Sequence, residues 1–201
     1  MLLALAVAAG LATPPAAAPA EAASPVLQVY LVRHGQAFSN LTPKPKMTDQ
    51  QLDHLTPLGR EQAAETGRAL AVRAPAAILS SPAGRARETA EEIRQAAGVA
   101  AALRVEPRVR PQGESETPEQ VAARVLEAVR AERERHRGRA VVVVAHSEVI
   151  GAFLAVVRGE PAANVSMVTL RNGSVSLVEL DGEGRPELVF ANQLPDELPP
   201  P

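Results

Sequence analysis

The amino-acid sequence predicts an α/β protein, a three-layer α/β/α sandwich with a mixed, mostly parallel sheet. Short apolar runs alternate along the chain with longer amphipathic segments, which is the pattern of strands separated by helices. The run 140–145, Ala-Val-Val-Val-Val-Ala, shows no polar alternation and is typical of a central strand covered on both faces. Near the C-terminus, Asn172-Gly173 lies between two apolar runs and predicts a hairpin, so part of the sheet is expected to be antiparallel.

Apolar runs of strand length mark the predicted sheet. Pro107 lies inside the third of these runs, and because proline cannot donate to a sheet ladder, we expect that strand at an edge. The predicted strands are residues 26–32, 76–80, 103–109, 140–145, 165–170 and 174–180.

The amphipathic segments begin with residues that favour helix starts. Thr56-Pro57, Ser81-Pro82 and Thr117-Pro118 each place a hydroxyl before a proline, the usual chemistry of a helix N-terminus. Thr117 and Gln120 also fit a capping box. Ser147 is the predicted cap of a further helix, directly after the strand 140–145.

Composition favours one domain and excludes several functions. The 201 residues are 46% hydrophobic and 2% aromatic, so one sizeable core is expected, filled mainly by Ala, Val and Leu. The formal net charge of −2, with scattered Lys and Arg, provides no general attraction for nucleic acid, and we expect no DNA or RNA partner. The lack of cysteine excludes disulfides, thiol catalysis and cysteine metal sites.

The N-terminal residues 1–23 differ from the rest of the chain. Leu2–Ala12 is an apolar run of the length of a secretory core, and small residues after it offer cleavage points. We expect a signal peptide rather than a stable membrane span, because a spanning helix needs about 20 apolar residues. A cleaved leader implies a periplasmic or secreted protein. A mis-assigned start codon is the alternative, since no Lys or Arg precedes the run, and the protein would then be cytoplasmic.

The remaining chain divides into one domain and a tail. Residues 24–193 carry all the predicted strands and helices. Residues 194–201 are rich in proline, and we expect them to be disordered.

Basic side chains follow two of the most apolar predicted strands. Arg33 and His34 come at the end of the strand 26–32, and His146 ends the strand 140–145. Ligands of open α/β sheets bind at the carboxyl ends of strands, so this placement indicates an anion site with a nucleophile or base. The alternative is a surface loop that happens to hold Arg and His. Two of the four histidines end strands, which favours the site.

These residue types are suited to phosphoryl chemistry. An imidazole held on one nitrogen presents the other as a neutral nucleophile near pH 7, and a phosphoryl group is an electrophile that it can attack. Arg33 and Arg85 can hold the phosphoryl oxygens with bidentate donors and stabilise their charge. His146 can add a hydrogen bond, and the helix that starts at Ser81 directs its amides to the same edge.

Four sequence blocks resemble a known family. Residues 31–35, Leu-Val-Arg-His-Gly, with Asn40 after them, resemble the Arg-His-Gly signature of the histidine phosphatase superfamily, in its phosphoglycerate mutase-like branch. Residues 55–63 are similar to the family's Leu-Thr-x-x-Gly-x-x-Gln-Ala helix start. Residues 80–86 are similar to its second arginine motif, and residues 143–146 to its second-histidine motif. The blocks occur in family order.

The resemblance implies a phosphohistidine mechanism on the family's fold. It assigns the nucleophile to His34 and phosphoryl binding to Arg33, Arg85 and His146, with Asn40 as a further side-chain donor. It also implies a metal-independent reaction without a cofactor.

The sequence departs from the family pattern at two places. Ser147 follows the second histidine where glycine is common, and its backbone amide can still bind phosphate. Pro111 stands near the position where the family usually places a glutamate as general acid. Glu114 is our candidate for the proton donor, with Glu116 behind it. The alternative is that Gly-Glu-Ser merely precedes the next helix.

We therefore expect a histidine acid-type phosphatase that hydrolyses a phosphate monoester of a small molecule or a phosphoprotein. One alternative is a weak or inactive member of the fold that binds phosphate ligands. A second alternative is phosphoglycerate mutase-type phosphoryl transfer, although the chain lacks the mutases' Glu-Arg-His-Tyr segment and longer insertions. A third is a hydrolase that uses His34 and His146 on a metal, although no metal-ligand motif accompanies them.

Overall fold

A single mixed sheet forms the centre of the protein. The structure is a computed structural model, which describes residues 25–163 and 169–200. The predicted leader lies outside the described residues. The strands are β1 Leu27–Arg33, β2 Ala77–Ser80, β3 Ala102–Val105, β4 Ala140–Ala145, β5 Val175–Leu180 and β6 Pro186–Gln193.

The strand order explains how the site is assembled. The order is β3-β2-β4-β1-β5-β6, with β1 to β4 parallel, β5 antiparallel to β1, and β6 antiparallel to β5. In the β1–β4 register, Val32 lies beside Val144 and Arg33 beside Ala145. Both strands therefore end at the same level, and the residues that follow them meet at one edge. The mixed, mostly parallel sheet is confirmed, and β3 lies at an edge as predicted. The predicted strand 103–109 is shorter, however, because β3 ends at Val105 and Pro107–Val109 forms a turn of 3-10 helix.

Two helices begin at the predicted caps, Thr56 and Thr117, whereas the helix predicted to start at Ser81-Pro82 has Ala83 as its N-cap and begins at Gly84. Thr56 accepts a hydrogen bond from the amide of Gly59, and Thr117 forms the capping box with Gln120. The prediction for Ser147 was wrong by one residue, because the N-cap position is His146 and Ser147 is the first helical residue. The helices are α1 Asp49–Leu52, α2 Pro57–Ala71, α3 Gly84–Ala97, α4 Pro118–Arg135 and α5 Ser147–Val157.

Two hydrophobic clusters lie on opposite faces of the sheet. Val141 and Val143 of β4 pack into the cluster that includes α4 and α5, whereas Val142 and Val144 pack into the cluster that includes α2 and α3. Both faces of β4 are thus buried, which is why its sequence shows no polar alternation. The arrangement confirms the predicted three layers.

The late hairpin differs from the prediction. Residues 165–168 lie outside the described residues, and Thr169 and Leu170 are not in a strand. β5 pairs instead with β1 on one side and with the downstream strand β6 on the other, and the turn at 181–185 joins β5 to β6. The Asn172-Gly173 turn lies against the end of β1, where the Gly173 amide donates to the Arg33 carbonyl across 3.1 Å, with φ of +73° at Gly173.

The tail also differs from the prediction of a disordered segment. Pro195–Glu197 forms one turn of 3-10 helix, and Glu197 pairs with Arg171 at 2.5 Å. Leu198 packs against the cluster of α2 and α3. Residues 194–198 are therefore held by an ion pair and an apolar contact.

Within the described ranges, no helix is long and apolar enough to cross a membrane.

Candidate active site

The sheet edge brings two histidines and an arginine together. His34 follows β1 and His146 follows the neighbouring strand β4, and their ring centroids are 5.2 Å apart with planes at 60°. Arg85 lies in the first turn of α3, which follows β2 on the other side of β4. Three parallel strands thus direct these side chains to one place.

The guanidinium of Arg85 connects both imidazole rings. Its Nε donates to Nε2 of His34 across 3.1 Å, and its Nη2 donates to Nδ1 of His146 across 3.1 Å. Its Nη1 pairs with the carboxylate of Asp53. Each nitrogen of Arg85 is therefore held by a different partner, which fixes the plane of the guanidinium relative to the two rings.

His34 is buried and presents one nitrogen as a base. Its Nδ1 lies 2.8 Å from the carbonyl oxygen of Gly35, so we assign the ring proton to Nδ1 and the free electron pair to Nε2. The side chain is 3% exposed, and burial, opposed by the Gly35 hydrogen bond and reinforced by the charge of Arg85, lowers its pKa to about 3. The imidazole is therefore neutral at pH 7, the state that a nucleophile requires.

His146 has the complementary tautomer. Because Nδ1 accepts from Arg85, Nε2 carries the proton and donates to the hydroxyl oxygen of Ser81 across 2.7 Å. Burial is the main cause that lowers the pKa of His146 to about 2, followed by the neighbouring charges of His34 and Arg85. This ring is also neutral at pH 7.

Arg33 lies beside this cluster as a partly desolvated cation. It donates to the carbonyl oxygen of Leu170, and its Nε is buried without a hydrogen-bond partner in the part of the chain that the structure describes. Burial lowers its pKa, Glu148 raises it, and Arg85 lowers it. Two neighbouring guanidinium groups, one of them with an unpaired buried donor, create a positive potential that favours an anion.

Asn40 is held close to the backbone of His34. Its Oδ1 accepts from the Ala37 amide at 2.9 Å and from Nδ2 of Asn172 at 3.4 Å. Asn172 also donates to the carbonyl oxygen of His34 across 2.9 Å. The Oδ1 atom of Asn40 is thus occupied, which leaves its amide group as the available donor, and its role in phosphoryl binding stays a prediction.

Ser147 contributes through its position in α5. As the first helical residue, it places its backbone amide among the unpaired donors of the helix N-terminus, beside His146. Its hydroxyl is used structurally and accepts a hydrogen bond from the Leu170 amide at 3.3 Å.

The predicted acid Glu114 is not joined to the cluster. It is exposed, and it makes no hydrogen bond or ion pair with the described residues. Glu116 is bound by Nε of Arg124 at 2.7 Å and by the Gly113 amide at 3.1 Å, and the Arg124 hydrogen bond is the main cause that lowers its pKa to about 2. Glu116 therefore anchors its loop, and the role of Glu114 stays a prediction.

The sequence did not predict the roles of Asp53 and Asn172 at this site, nor the hydrogen bond between Ser81 and His146. Asp53 accepts from the Gly84 amide at 2.6 Å while it pairs with Arg85, so it joins the loop before α2 to the start of α3. The available signal was its position, two residues before the Leu55–Gly59 block. Asn172 was interpreted only as a turn residue.

The structure places no cluster of three or more His, Asp or Glu side chains that could hold a metal ion within residues 25–163 and 169–200.

Comparisons with known proteins find a matching family and similar folds. The model of the histidine phosphatase superfamily (branch 1) matches residues 29–110 and 97–193. YhfR of Bacillus stearothermophilus superposes with a TM-score of 0.71 at 25% identity, over 84% of this chain and 98% of that one. A mycobacterial glucosyl-3-phosphoglycerate phosphatase superposes with a TM-score of 0.67 at 25% identity, over 83% and 99%.

A curated relative extends the comparison. The probable phosphoglycerate mutase GpmB of Citrobacter koseri is 30% identical over 188 residues, which cover 77% of this chain and 85% of the relative. The motif order, the fold and the matched model all agree with the predicted resemblance. The chain belongs to the histidine phosphatase superfamily.

Proposed function

We propose that the protein is a phosphatase that hydrolyses a small phosphate monoester through a phosphohistidine at His34. The observation that carries this proposal is the buried imidazole of His34, whose Nε2 lies 3.1 Å from Nε of Arg85 while its Nδ1 lies 2.8 Å from the carbonyl oxygen of Gly35. A nucleophilic nitrogen beside a guanidinium is the pairing that transfer of a phosphoryl group to nitrogen requires.

The substrate phosphate binds among the basic side chains. Arg33 and Arg85 hold its oxygens, and Asn40 and the Ser147 amide add donors. The Nε2–H of His146 turns from the hydroxyl of Ser81 to a phosphoryl oxygen. Arg85 retains one unused N–H on each of Nη1 and Nη2, because each nitrogen donates only one of its two protons to the protein. The phosphorus atom takes its place next to Nε2 of His34, and the Nε–H of Arg85 turns from the imidazole to a phosphoryl oxygen.

Two displacements complete the reaction. In the first, the Nε2–P bond forms as the P–O bond to the leaving group breaks, and the leaving oxygen takes a proton. The positive charge that develops on the ring is stabilised by the hydrogen bond from Nδ1 to the Gly35 carbonyl. In the second, water attacks phosphorus, inorganic phosphate leaves, and Nε2 is free again.

The proposed reaction needs no metal ion, because Arg33 and Arg85 supply the positive charge that phosphoryl oxygens require. Activity in the presence of EDTA, together with inhibition by vanadate, is the expected result. Loss of activity in EDTA that added Mg²⁺ or Zn²⁺ restores would contradict this part of the proposal.

We propose that water accepts the phosphoryl group from His34, as in a phosphatase, and not a hydroxyl of phosphoglycerate, as in a mutase. Two of the solved relatives with this fold are described as phosphatases, whereas the curated relative is described as a probable mutase. The chain also lacks the mutases' Glu-Arg-His-Tyr segment and longer insertions. Incubation with 3-phosphoglycerate separates the two activities, since hydrolysis releases inorganic phosphate and a mutase produces 2-phosphoglycerate.

A histidine substitution tests the nucleophile. We expect His34→Ala to abolish hydrolysis of 4-nitrophenyl phosphate and to abolish an acid-labile, alkali-stable phosphoenzyme in rapid-quench experiments. His136→Ala is the matched control, because His136 lies at the end of α4, at the opposite end of β4 from the site. Wild-type turnover by His34→Ala would refute the proposal. Vanadate binding by a wild type without turnover would favour the binding-protein alternative.

A further inference from the structure

Two carboxylates described above, Asp53 and Glu116, are engaged by other groups. Asp53 accepts from Arg85 and from the Gly84 amide. Glu116 accepts from Arg124 and Arg110. A carboxyl that donates a proton must be free to carry one, and each of these groups would have to give up a charge-assisted hydrogen bond first.

Glu148 differs from these carboxylates. It lies in the first turn of α5, two residues after His146, and it is half-buried. Within the described residues it forms neither a hydrogen bond nor an ion pair, so nothing there prevents its carboxyl from binding a proton.

The contacts of Leu170 locate this helical turn next to Arg33. The Leu170 carbonyl accepts from Nη1 of Arg33, and the Leu170 amide donates to Oγ of Ser147 across 3.3 Å. Leu170 therefore contacts both Arg33 and Ser147, the residue that precedes Glu148. In agreement with this placement, Glu148 has the largest effect of any neighbouring charge on the pKa of Arg33, which it raises.

We propose that Glu148 is the proton donor of the phosphoryl-transfer reaction and the proton acceptor of the hydrolysis step. This assignment rests on the phosphatase function proposed above. In the first step, the Glu148 carboxyl gives its proton to the leaving oxygen as the P–O bond breaks and the Nε2–P bond of His34 forms. In the second step, the Glu148 carboxylate takes a proton from the water that attacks phosphorus, and the P–N bond breaks.

A series of leaving groups tests the assignment. Hydrolysis of 4-nitrophenyl phosphate needs little help from an acid, because 4-nitrophenolate is a stable leaving group, whereas an alkyl phosphate needs a proton on its leaving oxygen. For Glu148→Gln we expect kcat/KM to fall by about 100-fold with glycerol 2-phosphate and by less than about threefold with 4-nitrophenyl phosphate. The variant should also accumulate phosphoenzyme with 4-nitrophenyl phosphate, because the attacking water has lost its base.

Two variants accompany Glu148→Gln. Glu119→Gln is the matched control, because Glu119 lies in the first turn of α4 as Glu148 does in α5. Each carboxylate interacts favourably with the dipole of its own helix. Glu119→Gln should leave both substrates unchanged. Glu114→Gln tests the rival acid on the loop before α4.

Each outcome decides the proposal. An equal loss of kcat/KM for all leaving groups in Glu148→Gln, or no loss at all, would overturn the role of Glu148. A leaving-group effect seen in Glu114→Gln and not in Glu148→Gln would move that role to Glu114. Failure of the wild type on every ester would overturn the phosphatase function itself, and with it the assignment of Glu148.

Discussion

The Nε–H of Arg85 donates to Nε2 of His34 across 3.1 Å, while the same guanidinium reaches His146 through Nη2. The geometry depends on a planar group with donors on three nitrogens. An ammonium has no such plane, so lysine at this position cannot orient both rings and a phosphoryl group together. The side chain of Arg85 therefore determines how the two imidazole rings are placed, and under the proposed function it also places the phosphate relative to His34.

We expect Arg85→Lys to lower kcat/KM for 4-nitrophenyl phosphate by about 100-fold, although it keeps the positive charge. Steady-state kinetics with a circular dichroism check of folding would measure the effect. Arg87→Lys is the matched control, because Arg87 lies in the same first turns of α3 and is exposed. Activity of Arg85→Lys close to that of Arg87→Lys would show that charge alone is enough.

Asp53 should act as a positioning residue for Arg85. Its carboxylate holds Nη1 of Arg85 and accepts from the Gly84 amide at 2.6 Å, so it ties the guanidinium to the start of α3. Asp53→Asn removes one negative charge near the phosphate site and loosens Arg85. We expect kcat to fall by about tenfold, while inorganic phosphate inhibits at least as strongly as in the wild type.

A lower kcat with unchanged or tighter phosphate binding in Asp53→Asn would show that Asp53 positions Arg85 rather than merely stabilises the fold. A destabilised protein would lose both in parallel. Asp49→Asn, an exposed aspartate at the start of α1, is the control and should change neither quantity. An unchanged kcat in Asp53→Asn would show that Arg85 needs no support from this carboxylate.

The sequence was sufficient to predict the elements that place the proposed nucleophile. β1 and β4 are continuous apolar runs that stop at Arg33-His34 and at His146, and strands buried on both faces have that pattern. Ser81-Pro82 indicated the helix that carries Arg85, although its N-cap is Ala83 and it begins at Gly84. These are local signals, and local signals show that an element is present more reliably than they show where it begins.

The contacts of loops could not be predicted in the same way. Asp53 and Asn172 reach the site because of the paths of the segments before α2 and before β5, and no periodicity encodes such paths. The hairpin prediction failed because Asn172-Gly173 has the composition of a hairpin turn but serves to contact the end of β1. β6 was missed because it is an edge strand that is partly exposed and begins with Pro186, so its sequence lacks a buried pattern.

The buried histidines should make the fold sensitive to mild acid. The pKa of His34 is lowered to about 3 and that of His146 to about 2, mainly by burial, whereas an unfolded histidine titrates near 6.5. Below pH 6.5 the unfolded chain therefore binds protons that the folded protein does not. Each buried neutral ring therefore leaves the free energy of unfolding undiminished above pH 6.5. Below that pH the free energy of unfolding falls, because protonation of the unfolded chain favours unfolding, until the folded ring itself titrates near its lowered pKa.

We expect the free energy of unfolding to decrease by roughly 2 kcal/mol per histidine between pH 6.5 and pH 5. Urea unfolding at the two pH values measures this decrease. His146→Gln should lose about half of it, and the variant with both His34→Gln and His146→Gln nearly all of it. An equal decrease in the wild type and the double variant would assign the acid sensitivity to other groups.

Gly59 of α2 and Gly35 after β1 meet backbone to backbone. A Cβ at Gly59 would lie 2.0 Å from the carbonyl oxygen of Gln36, and a Cβ at Gly35 would lie 2.2 Å from the carbonyl oxygen of Gly59. Neither contact is with a flexible side chain, so the backbone itself must move. Because Gly35 follows His34 directly, that movement would reach the proposed nucleophile.

We expect Gly59→Ala to lower the free energy of unfolding by about 3 kcal/mol, because the added Cβ overpacks against backbone atoms. This cost outweighs the gain of about 1 kcal/mol that alanine offers over glycine in a helix. Urea denaturation measures the change, and hydrolysis of 4-nitrophenyl phosphate should fall with it. Gly113→Ala is the matched control, because a Cβ there would come no closer than 3.8 Å to its nearest neighbour. Equal stability of the two variants would mean that α2 can move away from the end of β1 without cost.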